Sequence, residues 1–233
     1  MSSLQETLGL SKAPIAVGFF DEAPVSVQQW SGGPVPAGCS FWREAMNGRT
    51  FYTVPSDHYN CAVGAYTHNI EQPEERSAAL NDTIGFMVSS GYLQMAEVPM
   101  IPVLPKTPRY VAYGPVADAK FRPDVVVIAA TPAEMMMIYE AALRSGAGSM
   151  ATPALGRPGC AILPLALNSG TSALSFGCKG NRTFTGLPDS EMYISIPGVQ
   201  WDAFAAAMQG IVKANETMGA HYRAHEAAVR GQG

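Results

Sequence analysis

Asp124-Val-Val-Val-Ile-Ala-Ala-Thr-Pro-Ala-Glu-Met-Met-Met-Ile-Tyr-Glu-Ala-Ala-Leu-Arg-Ser145 decides the fold class. Residues 124–130 are a short apolar run rich in β-branched side chains, which predicts a buried strand. Thr131-Pro132 stops that run. Residues 132–145 then predict a helix, with proline near its start, where the missing backbone N–H costs nothing. A strong strand followed at once by a strong helix predicts an α/β chain.

Working toward the N-terminus, Pro14-Ile-Ala-Val-Gly-Phe-Phe20 predicts a second buried strand, preceded by a short amphipathic helix over 1–11 carrying Leu4, Leu8 and Leu10. A Gly/Pro-rich loop, 31–38, leads to Cys39 and a helix over 40–47 that Gly48 ends. Residues 51–54 predict a strand, and Cys61 opens a helix over 62–69. Helical patterns follow over 74–80 and 84–94. Pro99, Pro102, Pro105 and Pro108 keep the next stretch extended. A brief strand over 110–113 closes this region. Beyond the central pair come a Gly-rich loop, Cys160 with a helix, Cys178, a strand over 192–196, and a closing helix from about 199 to Lys213 that runs into a polar tail.

The two halves resemble each other weakly. Cys39 opens Cys-Ser-Phe-Trp-Arg-Glu-Ala-Met-Asn-Gly, and Cys160 opens Cys-Ala-Ile-Leu-Pro-Leu-Ala-Leu-Asn-Ser-Gly. Ala45 matches Ala166 and Asn47 matches Asn168 at the offset that superposes the cysteines. Each segment is followed by a second cysteine near a glycine, Cys61 with Gly64 and Cys178 with Gly180. The expected architecture is one compact α/β domain spanning 1–233. It has two strand–loop–helix halves, about 12–70 and 122–197, related by a pseudo-twofold axis, with a connecting segment 71–121 and a C-terminal helical segment 199–230.

Composition narrows the function. Of 233 residues, 47% are apolar and 15% charged, against roughly 25% charged in an ordinary globular chain, so much surface should be covered, by compact packing or by a homo-oligomer. A net charge of −4 with no basic run argues against nucleic acid as a partner. No apolar run reaches the roughly 18 residues of a membrane span. The N-terminus lacks the build of a signal peptide, so the expected location is cytoplasmic. Four cysteines in a reducing compartment point to metal or redox chemistry before disulfides.

Cys39, Cys61 and Cys160 each stand at or just before a predicted helix start, where free N–H groups and the helix dipole stabilise a thiolate. Two matched pairs can converge between the halves on one centre, although no Cys-x-x-Cys knuckle is present. The leading expectation is a [4Fe–4S] iron–sulfur cluster bound by Cys39, Cys61, Cys160 and Cys178. It would serve electron transfer with a redox partner, or oxidoreductase chemistry on a small-molecule substrate. The alternatives are a haem or other tetrapyrrole, with a methionine or histidine as axial ligand, and a structural zinc ion; a cysteine-nucleophile enzyme ranks last.

His58 and Arg182 are the candidate catalytic or supporting residues, each near a cysteine. Lys179 and Arg157 add positive charge near the second pair. Met135–Met137 could line a soft-ligand pocket but suit core filling better. His221 and His225 have the spacing of two ligands on one helical face but lie in the polar tail. The loop Gly146-Ala-Gly-Ser149 follows a helix rather than joining a strand to one, so it is not a phosphate cradle.

Several of these segments also resemble the prokaryotic family known as domain of unknown function one hundred and sixty-nine, the ArCR-type proteins. The resemblance rests on Pro14-Ile-Ala-Val-Gly-Phe, the Cys39 segment through Arg43-Glu-Ala, His58-Tyr-Asn-Cys61-Ala-Val-Gly64 and Arg122-Pro-Asp-Val. It rests above all on Gly177-Cys-Lys-Gly-Asn-Arg182 and Glu191-Met-Tyr-Ile-Ser-Ile-Pro197. It implies a shared fold unit and the shared cysteines, and it implies no particular reaction.

Overall fold

A computed structural model describes residues 4–148 and 158–230. In chain order the elements are α1 (Leu4–Leu8), β1 (Ile15–Phe20), α2 (Ser40–Met46), β2 (Phe51–Thr53), α3 (Ala62–Thr67), α4 (Ala79–Ser89), β3 (Tyr110–Pro115), β4 (Val125–Ala130), α5 (Pro132–Arg144), α6 (Ile162–Ser169), β5 (Ala173–Ser175), α7 (Lys179–Thr185), β6 (Met192–Pro197) and α8 (Trp201–Arg230). The six strands form one open sheet in the order β2-β3-β1-β4-β6-β5. Every neighbouring pair is antiparallel.

β4 is buried along its whole length because both faces of the sheet are covered. Side chains alternate across a strand, so one set serves each face. Val125, Val127 and Ala129 join Ile15, Val17, Tyr113 and Tyr193 beneath α2 and α6, where Phe41, Trp42, Ile162 and Leu163 fill the core. Val126, Ile128 and Ala130 join Ile194 and Ile196 beneath α5 and α8, against Ile138, Phe204 and Met208. Helix α5 starts in a capping box. The Glu134 N–H donates to the Thr131 hydroxyl, and the Thr131 N–H donates to the Glu134 carboxylate at 2.7 Å.

Asp124 ties the middle of the sheet together. Its N–H donates to the Val17 carbonyl, its carboxylate accepts from the Phe19 N–H at 2.7 Å, and its carbonyl accepts from the Gly198 N–H.

The connectivity of the two halves corresponds. Each runs strand, cysteine-headed helix, short strand, cysteine-headed helix, strand, and the sheet order reads alike outward from the β1–β4 pair. That correspondence does not establish a twofold axis. Helix α4 lies between α3 and β3 with no counterpart between α7 and β6, and α5 follows β4 where β1 is followed only by loop.

Some boundaries differ from expectation. The 74–80 helix is a single 3-10 turn, Glu74–Arg76, and α4 begins at Ala79 rather than Ile84. Gly91, at φ +74°, ends that region in the left-handed conformation a glycine adopts without strain. Residues 179–185, which carry two glycine or asparagine residues and two threonines, are helical. Helix α8 continues past Lys213 to Arg230, with Phe204, Met208 and Ile211 as its buried residues. His221 and His225 are on its exposed distal part. Among the described residues, no helix is long and apolar enough to cross a membrane. Arg157 and Ser149 lie outside the described residues.

Candidate functional site

Cys39, Cys61, Cys160 and Cys178 all line one cavity of about 480 Å³. Each stands at a helix entrance: Cys39 before α2, Cys61 before α3, Cys160 in the 3-10 turn that leads into α6, and Cys178 before α7. Cys178 caps its helix directly, its sulfur accepting from the Asn181 N–H at 3.3 Å. The N–H groups of Gly38 and Gly64 approach the Cys61 sulfur. Cys160 Sγ lies 3.4 Å from the Thr67 hydroxyl. The Asn181 amide is close enough to Cys39 to favour its thiolate, but its geometry falls short of a hydrogen bond.

Glycines make this approach possible. A Cβ on Gly64 would stand 2.7 Å from Cys61 Sγ, and one on Gly159 would stand 3.1 Å from the Cys178 backbone nitrogen.

Burial dominates the electrostatics. It pushes the Cys39 thiol up to about 12, helped by Cys61 and Cys178 nearby. It also raises Cys61, and it raises Cys160 well above the ordinary thiol range, where Cys61 adds to the effect. Thiols held neutral in this way are poor nucleophiles. A thiolate at Cys61 or Cys178 would raise Cys39 and Cys160 further, so the four lie within electrostatic reach of one another. Among the described residues, no three His, Cys, Asp or Glu side chains converge tightly enough to hold a single metal ion.

His58 and Arg182 do not line the cavity. His58 is buried behind Gly38, its Nε2 2.7 Å from Thr53 Oγ1. The Thr53 hydroxyl donates to the Val111 carbonyl at 3.1 Å, so His58 Nε2 carries the proton and donates to Thr53. Arg182 donates to the carbonyls of Pro188 and Glu191, each at 2.9 Å, and so secures the loop into β6. Lys179 does line the cavity, and its N–H donates to Tyr92 Oη at 2.9 Å. Met135 packs in the core under α5, on the opposite face of the sheet, and Met136 is exposed, so neither meets a group in the cavity.

Two cavity residues escaped the sequence reading. His68, 2% exposed, has neither ring nitrogen hydrogen-bonded, and the side-chain amide of Asn181 is likewise buried without a partner. Burial lowers His68 to about 4, so it is neutral at pH 7. Asn181 sits in the Cys-Lys-Gly-Asn-Arg segment and could have been singled out there; His68, in Tyr-Thr-His-Asn, had no comparable signal.

Burial, with His68 nearby, lowers His58 to about 3, which predicts an acid instability. The unfolded chain takes up this proton near pH 6.5, long before the folded protein does. The stability contribution is therefore complete above about pH 6.5 and is lost as pH falls toward 3, by roughly 2–3 kcal/mol between pH 7 and 4.5. Denaturant midpoints at those two pH values should converge in His58→Gln relative to the parent. An unchanged difference would mean that His58 is not buried neutral.

No curated protein and no solved structure matches the chain. The family model described as uncharacterised ArCR, domain of unknown function 169, matches residues 3–207, across both cysteine pairs and the whole sheet, and the chain belongs to that family.

Proposed function

We propose that Cys39, Cys61, Cys160 and Cys178 bind one iron–sulfur cluster, of the [4Fe–4S] type, and that the protein is a redox protein or redox enzyme. The observation that carries this reading is the gathering of all four thiols around one cavity. The Asn181 N–H already donates to the Cys178 sulfur, and the Gly38 and Gly64 N–H groups approach Cys61; the Thr67 hydroxyl, which donates to the Gly64 carbonyl, accepts from the Cys160 thiol. The thiols of Cys39, Cys61 and Cys160, raised by burial, stay protonated unless a cation replaces their protons, which a metal centre does.

The preference for a cluster over zinc rests on ligand chemistry. A zinc ion draws all its sulfurs to about 2.3 Å from one point. In a cluster each iron takes its own cysteine, so the thiolates surround a larger body. When bound, such a cluster supplies one-electron chemistry. The chain's part is to hold the four thiolates, to donate hydrogen bonds to their sulfurs, and to keep bulk water from the apolar side of the cavity. A colour test separates the alternatives. Anaerobically purified protein should show a broad brown absorption shoulder; a sharp Soret band would mean haem, and a colourless protein would return zinc to first place.

Gly64→Ala tests the clearance at Cys61. Alanine suits the backbone of α3, but its Cβ forces the Cys61 side chain to move. Iron content should fall severalfold while the melting temperature of the iron-free variant stays close to that of the iron-free parent. Full iron retention would show that the position of Cys61 is not critical.

A further inference from the structure

The geometry points to a second occupant of the same cavity: a small, mainly apolar molecule bearing one hydroxyl or amide head group, held beneath α4 with His68 recognising the head group. This goes beyond the thiol centre and does not depend on iron being bound.

Ile84, Phe86 and Met87 of α4 line the cavity, with Val63 and Phe184 completing an apolar wall. None of α4's residues is fully buried, and Phe86 is 72% exposed. The helix therefore turns its apolar side chains toward space rather than toward packed core. Hydrogen bonding between the Lys179 N–H and Tyr92 Oη fastens the segment after α4 to the start of α7 across this space. A volume of about 480 Å³ lies within the range of small-molecule sites.

The second observation is independent of the apolar wall. His68 is 2% exposed, lines the cavity and makes no hydrogen bond of full geometry at either ring nitrogen; the Cys160 backbone is near enough to favour its charged form, but the contact falls short of a hydrogen bond. A buried polar group left unpaired is costly, so a ligand that pairs with it is selected over one that cannot. Neutral imidazole offers one donor and one acceptor, and a hydroxyl or amide can meet either in either tautomer. An aliphatic or aromatic body then covers the side chains of α4.

Phenol and toluene are suitable probes because they differ in little but the hydroxyl. Their binding is measured by calorimetry on iron-free and on iron-loaded protein. Phenol should bind the parent about tenfold more tightly than toluene. His68→Phe should remove the preference, His68→Gln should retain most of it, and Met87→Glu should weaken both probes alike. Failure of both probes to bind the parent at millimolar concentration would overturn the proposal, as would an unchanged preference in His68→Phe. Phenol selectivity in a protein that takes up no iron would leave this inference standing while the cluster reading fails.

Discussion

Replacing any one of Cys39, Cys61, Cys160 or Cys178 by alanine should strip the protein of most of its iron, and the four variants should behave alike. The four thiols line one cavity within electrostatic reach of one another, so a shared centre loses a ligand whichever is removed. Each change should also lower the melting temperature of the anaerobically purified protein, because binding energy available only to the folded chain is part of its stability. In iron-free protein the same changes should cost far less, since the thiols are small, mostly half-buried apolar groups there. Iron analysis and paired melts with and without iron give both numbers. Full iron retention in two or more variants would show that the cysteines do not act as one unit.

Gly198→Ala should be the most damaging single change outside the cavity. Its Cβ would overlap the carbonyl oxygen of Pro123 and stand 2.7 Å from the Pro123 carbonyl carbon, both backbone atoms that no rotamer change can move. The Gly198 N–H also donates to the Asp124 carbonyl, so relief of the clash would loosen the knot that joins β1, β4 and the entry to α8. A loss of about 3 kcal/mol or more is expected, at or above the upper end of ordinary overpacking. Gly85→Ala is the internal control. It sits in α4 with nothing near its added Cβ, and should stabilise by up to about 1 kcal/mol. Equal denaturation midpoints for the two variants would contradict the packing at Gly198.

The parts of this structure that were legible in sequence are those where local chemistry and tertiary packing agree. In 124–145 a strand buried on both faces needs a continuous apolar run, and a capped helix needs the Thr-Pro-Ala-Glu start that follows it. The cysteines were legible for a related reason, since three of them directly precede helix-forming segments. Cys178 was harder. Lys179-Gly-Asn-Arg-Thr-Phe-Thr185 has weak helix propensity, and the helix is held by the Cys178 cap and by Asn181, Thr185 and Tyr193 contacts made only in the folded chain.

Other features depend on long-range pairing that no window of sequence contains. Strand β5 has only three residues and exists through its ladder with β6. The sheet order follows from the pairing of β1 with β4 across more than a hundred residues. His68 becomes a cavity residue only because α3 ends there and the 101–104 segment is tied alongside, the Leu104 N–H donating to the Thr67 carbonyl and the Asn69 amide to the Leu104 carbonyl. His58 and Arg182, conspicuous beside cysteines in sequence, turn their polar groups instead to Thr53 and to the carbonyls of the 188–191 loop.

Iron and acid-labile sulfide assayed together in anaerobically purified protein test the cluster most directly. A cluster on Cys39, Cys61, Cys160 and Cys178 predicts iron and sulfide in equal amounts, both lost on replacement of any of the four, with the thiols shielded from alkylation until the iron is removed. Protein that contains neither iron nor sulfide after anaerobic reconstitution, with all four thiols open to alkylation, would contradict it.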